Sequence, residues 1–126
     1  MRAFIISSAA VLLIITGWIF LYQSVEHQTA EFVEALSQLT KTLNQEDWET
    51  AASNFKEIRN KWQITRNKWT IFLHHHEIDN IDLSMARTVQ YIETKNKPLS
   101  LGETEALKQL FHIVKENEAL TLTNVL

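Results

Sequence analysis

His74, His75 and His76 run directly into Glu77, Asp79, Asn80 and Asp82 within the stretch FLHHHEIDNID, residues 72–82. Imidazoles and carboxylates are the side chains that ligate metals and move protons near neutral pH. His75 and Asp79, or His76 and Asn80, are four positions apart and share a face if one helix runs through them. Zinc takes four ligands, or three and a water. Two from one turn therefore need a contribution from elsewhere, such as His27, Glu26 or His112. A metal set built on His75, His76 and Asp79 is one reading of the stretch. It lacks the His-Glu-x-x-His spacing of a zinc hydrolase. No Gly-rich phosphate loop, nucleophile elbow or triad pattern accompanies it, and Ser84 has no motif around it. The chain has no cysteine, hence no thiolate ligand, thiol nucleophile or disulfide framework. These residues predict a non-enzymatic protein with no catalytic residue and no cofactor.

The same side chains also suit a corner between two helices. Histidines at the end of a helix meet its last, unpaired carbonyls. An aspartate just beyond them can cap the next helix, here Asp79, with Asp82 in its first turn. The expectation is that helix two closes at His74–His76 and helix three opens at Asp79. His76 would pair there with Glu77, Asp79 or Asn80. His75, His76, Glu77, Asp79, Asn80 and Asp82 would then form a polar corner with a structural or interaction role.

The elements that hold this corner are helical. Two glycines and one proline in 126 residues leave few breakers, so long helices are expected and a β-sandwich is excluded. Twelve basic against fifteen acidic side chains offer no electrostatic case for nucleic acid. From Ala3 to Val25 no residue is charged, and roughly 20 apolar residues cross the hydrocarbon core as a helix. The run ends in Trp18, Phe20, Tyr22 and Gln23, which suit the membrane–water interface better than a small-x-small cleavage site. An uncleaved single-pass anchor over residues 1–23 is expected, with residues 24–126 as a second domain. Arg2 lies on one side of the run. Glu26, Glu31 and Glu34 lie on the other, with the first later base at Lys41. The positive-inside rule then places the amino terminus in the cytoplasm and the rest outside the cell.

Beyond the anchor, Val25, Thr29, Phe32, Leu36, Leu39 and Leu43 step along one helical face. One continuous helix over about residues 3–43 is expected. Asn44 reads as the N-cap of a second helix, with Glu46 and Asp47 in its first turn. In that helix Trp48, Phe55, Trp62, Trp69 and His76 recur every seven residues, and Ala51, Ile58, Thr65 and Phe72 follow three places after the first four. An aromatic seam of this bulk suits a bundle rather than a tight two-stranded coil. A third face comprises Ile78, Ile81, Met85, Val89 and Ile92. Pro98 then breaks the pattern, and Ser100 with Glu103 has the spacing of a capping box. Leu107, Leu110, Phe111 and Val114 form the last face, and the apolar tail ALTLTNVL is expected to dock on the bundle.

Lengths position the corner. A helix from Asn44 to His75 is roughly 48 Å long, and the outer part of helix one, from Gln23, roughly 31 Å. Laid antiparallel, helix two overshoots by roughly 15 Å, comparable with the difference between the total and the hydrocarbon thickness of a bilayer. Trp69, Phe72 and Leu73 would then be membrane-proximal apolar contacts. Lys56, Arg59, Lys61, Arg66 and Lys68 crowd helix two, and Glu26, Glu31 and Glu34 of helix one are their expected partners.

MRAFII, DWETA, KWQITRNKWT, HHEIDNIDLSMAR and LTLTNVL together resemble an uncharacterised family of short, N-terminally anchored bacterial membrane proteins. The most specific part is a His-x-Glu-Ile-Asp-Asn-Ile-Asp motif, falling on His75 (or His76), Glu77, Asp79, Asn80 and Asp82. The resemblance implies a Gram-positive setting and a partner of one kind, a small multi-pass membrane protein. The combined expectation is all-α: a transmembrane helix continuing into an extracytoplasmic antiparallel bundle of three to four helices. Its function would be that of an accessory or scaffold subunit of a bacterial membrane complex, touching the lipid bilayer and that partner, with homo-oligomers allowed. A sensor or ligand-binding ectodomain with a metal- or proton-responsive His/Asp/Glu site is the alternative.

Overall fold

The computed structural model describes the backbone of residues 1–125 and the side chains through Leu120. Four helices follow one another: α1 Arg2–Asn44, α2 Trp48–Trp69, α3 His75–Glu93 and α4 Lys97–Val125. No strand occurs among the described residues. Each helix packs against its neighbour in sequence, and α4 closes the ring against α1. The result is an antiparallel four-helix arrangement.

Helix α1 is unbroken because nothing in it is a breaker except Gly17, and a Cβ there would meet no neighbouring atom. Its buried residues are Val25, Thr29, Phe32, Leu36, Leu39 and Leu43, the face expected from their spacing. No residue before Val25 is buried. That stretch is long and apolar enough to cross a membrane.

The two turns at the far end of the bundle share one construction. Glu46 and Lys95 adopt positive φ, 56° and 54°. In each case the next amide reaches back five residues, Asp47 N–H to the Thr42 carbonyl and Asn96 N–H to the Tyr91 carbonyl. These bonds satisfy carbonyls that a helix end leaves unpaired. The Asx residue that follows then caps the next helix: Asp47 accepts from the Thr50 amide and Asn96 from the Leu99 amide. The cap of α2 is therefore Asp47, and Asn44 is the last residue of α1. Likewise α4 begins at Lys97, ahead of the expected Ser100 cap, because Pro98 falls in its first turn, where no amide donor is required. Ser100 is buried inside the helix, and Glu103 turns instead toward α3.

The aromatic seam supplies the core. Phe32 and Phe111 stack with centroids 4.7 Å apart, tying α1 to α4. Trp62 meets Phe32, Trp69 and Phe111 edge-on at 5.6–6.1 Å. Such offset and T-shaped pairs are the favoured aromatic geometries. The seam stops short of its expected end. Helix α2 finishes at Trp69, and tight bonds from the Ile71 and Phe72 amides to Lys68 and Trp69 carbonyls turn the chain away. Phe72 is half-buried and His76, now on α3, is exposed. At 22 residues, α2 is roughly 33 Å long, and the overshoot expected of it nearly vanishes. The long partner is α4, whose 29 residues span roughly 44 Å.

Candidate functional site

The corner is built from the turn 70–74, the first turns of α3 and the late turns of α4. His74 is the N-cap residue of α3, with extended backbone and no side-chain cap bond. The histidines therefore open helix three; they do not close helix two. Asp79 lies in the second turn of α3, is exposed and caps nothing. His75 is also exposed. His76 Nε2 sits 3.4 Å from Asn80 Nδ2, one turn along the same surface. The seam position expected to bury His76 fails because the helix carrying the heptad ends seven residues before it.

Glu77 is the corner residue that reaches α4. Its Oε1 accepts from Asn117 Nδ2 of α4, and its Oε2 is buried with no hydrogen-bond partner. Glu118 lies close by. Burial pushes its carboxyl above the ordinary carboxylate range, Glu77 pushes it further the same way, and His74 opposes both. A proton on Glu118 relieves the repulsion between the two carboxylates. Asn117 and Glu118 were not singled out from sequence, since nothing in α4's spacing reveals that its last turns face the start of α3.

Asp82 departs from the corner altogether. It accepts from Trp62 Nε1 and from Arg66 Nε, each at 2.7 Å, and so ties α3 to the middle of α2. Glu103 does the same between α4 and α3, accepting from Ser84 Oγ at 2.7 Å and Arg87 Nε at 2.9 Å. Among the described residues, no three His, Asp or Glu side chains converge as a metal set would. His75, His76 and Asp79 in particular point along an exposed helix surface.

The membrane-proximal contacts are redistributed. Trp69 is 1 % exposed, donating Nε1 to Gln28 Oε1 at 2.8 Å, and Leu73 is 6 % exposed. Both belong to the core, leaving Phe72 at its margin and Ile71, 84 % exposed, as the apolar side chain presented outward. Of the basic cluster, Lys61 pairs with Glu31 at 2.7 Å, and this lowers the Glu31 pKa. Arg66 pairs with Asp82 rather than helix one. Glu26 is met by Lys115 of α4. Lys56, Arg59 and Lys68 form no ion pair among the described residues.

A four-helix arrangement with a fully exposed apolar N-terminal stretch and a polar corner at its base defines the class: a helical bundle carried on a helix long and apolar enough to cross a membrane. Within that class the chain belongs to the family described as Domain of unknown function (DUF4363), matched over residues 19–125. No curated protein and no solved structure matches the chain.

Proposed function

We propose that the protein is a non-enzymatic, single-pass membrane protein acting as an accessory or scaffold subunit of a bacterial membrane complex. Its amino terminus would lie in the cytoplasm and its bundle outside, with a small multi-pass membrane protein as partner. The supporting observation is the contrast along α1: none of its residues before Val25 is buried, and its second half is a packed core helix. An apolar helix exposed all round has lipid or another membrane helix as its natural surroundings.

The test is recovery of partners from native membranes in mild detergent, comparing wild type with Gly17→Leu and Ile71→Glu at equal expression. Gly17 lies on a stripe of small residues with Ala3, Ser7 and Ala10, and its open side admits a close helix approach. Loss of a specific membrane protein in either variant supports the reading. Recovery of no membrane protein with wild type would sink it. Orientation is tested by a cysteine at Gln45, which should react with an impermeant maleimide on intact cells.

One observation favours the second reading, a proton-responsive ectodomain: the raised Glu118 carboxyl beside Glu77 and His74. A carboxylate displaced toward neutrality beside another is a poised proton site. Under that reading Glu118→Gln should abolish any pH-dependent change in partner recovery while leaving recovery at low pH intact.

A further inference from the structure

We infer that the turn of α4 that carries Leu120, with Ile71 of the α2–α3 turn, is seated in the interfacial layer of the lipid bilayer, abreast of the aromatic end of the α1 span. The inference rests on the membrane placement of α1 in the reading above and does not depend on a partner.

The register between α1 and α4 is fixed at three levels. Lys97 Nζ donates to the Asn44 carbonyl at 3.3 Å, Phe111 stacks on Phe32, and Lys115 pairs with Glu26 at 3.4 Å. The outermost pair and the innermost pair are equally spaced along the two helices, so the antiparallel alignment holds over that whole length. Helix α4 continues from Lys115 to Val125, roughly 15 Å further. The same distance back along α1 from Glu26 reaches Thr16. On the same register Leu120 of α4 is level with Leu21 of α1, in the stretch that contains Trp18, Phe20 and Tyr22.

The composition of α4 changes at the same level. Glu118 is its last ionisable side chain, and residues 119–126 have none. Leu120 is 62 % exposed. On the neighbouring turn Ile71 is 84 % exposed. Apolar side chains held out from a bundle, continuous with a helix surface that is itself exposed and apolar, mark a contact rather than scattered surface residues. The headgroup layer adds roughly 5–7 Å on each side of the hydrocarbon core, and aromatic residues mark its depth. Glu118 and Glu77 would lie at its upper edge, where desolvation favours the neutral form of Glu118.

The chain has no cysteine, so one introduced cysteine takes one label. Full-length protein carrying an environment-sensitive fluorophore at Leu120→Cys, Ile71→Cys, Glu105→Cys or Leu12→Cys is placed in phosphatidylcholine vesicles. The vesicles carry nitroxide lipids at the headgroup, a shallow acyl position or a deep acyl position. The Leu12 probe reports the anchor itself and should be quenched best by the deep nitroxide. The Leu120 and Ile71 probes should be quenched by the headgroup and shallow nitroxides several-fold more than the Glu105 probe, and be shielded from aqueous iodide. If Leu12 is quenched but Leu120 and Ile71 are open to iodide like Glu105, the inference fails and the anchor stands. If they are shielded from both iodide and nitroxide, another copy of the chain covers them and the inference fails. If Leu12 is not quenched, the membrane reading fails first and this inference with it.

Discussion

Two sets of carboxylates on α3 and α4 behave in opposite ways. Asp82 and Glu103 each collect two donors from a neighbouring helix and hold the bundle at mid-height. Glu77, Asp79 and Glu118, at the base, collect few: one accepts a single bond while its other oxygen is buried unpaired, one is exposed, and one sits against a like charge. The base holds the denser cluster of ionisable residues in the sequence. Of the two acids that make packing ties, Asp82 belongs to that cluster in sequence and Glu103 does not. Density of ionisable residues along the chain therefore says little about which of them carry structure. What counts is whether a donor on another helix can reach them.

The comparison is most severely broken at Trp62, where the mid-height ties and the aromatic core coincide. It is 1 % exposed, touches Phe32, Trp69 and Phe111 and donates to Asp82. Trp62→Ala should cost about 3–5 kcal/mol, a large share of the ~5–15 kcal/mol available to such a domain. Denaturant unfolding of the full chain measures it, and an unchanged midpoint would remove Trp62 from the core. Asp82→Ala strands the Trp62 indole N–H and should cost about 1–3 kcal/mol. Asp82→Asn keeps an acceptor for the indole and should cost less.

At the base the signs differ. A folded state that raises the Glu118 pKa binds more protons than the unfolded chain. Its contribution is thus unfavourable wherever the group is ionised, and stability falls as pH rises from the ordinary carboxylate range through the raised value. Glu118→Gln should flatten that decline and leave stability unchanged at lower pH. A pH series of melting curves for both proteins checks this, and parallel curves would show that Glu118 is free of the interaction. Glu31, held low by Lys61, acts in the opposite sense, adding stability that is lost as pH falls through the carboxylate range. The smallest effect belongs to Asp79→Ala. An exposed side chain with no cap to lose should change stability by no more than about 0.5 kcal/mol. Its melting should respond to zinc or chelator as wild type does. A zinc-dependent rise in wild type that disappears in Asp79→Ala would return the metal reading.

Much of the architecture was legible because helical periodicity is a statement about burial. The six buried residues of α1 are the six whose spacing forms one face, and the faces of α3 and α4 follow the same rule, with Val89 and Leu110 half-buried at their margins. The corner was legible in composition but misplaced in phase. Thr70, Ile71 and Phe72 contain no breaker, and the heptad continues through them in sequence. The helix nevertheless ends at Trp69, whose indole N–H bonds Gln28 of α1, and nothing local in the sequence marks the stop. The two far turns were misread by a few residues for a related reason. Glu46 and Lys95 take left-handed backbone without being glycine, so the residues that end α1 and α3 look like ordinary helix formers.

The stack of Phe32 on Phe111 also has a consequence for the order of events at birth. It joins α1 to α4, which is made after α2 and α3. Roughly 80 residues separate the two rings, on the order of 4–16 s of synthesis at usual rates. During that time the face of α1 that carries Phe32, Leu36 and Leu39 has no α4 to cover it. A nascent chain halted at Asn96 would hold α1, α2 and α3 with that face open. Such chains should be degraded faster, or bind chaperones longer, than chains halted after Val114. Pulse-labelled arrest at the two positions measures the difference. The slow step in completing this bundle would then be the wait for α4.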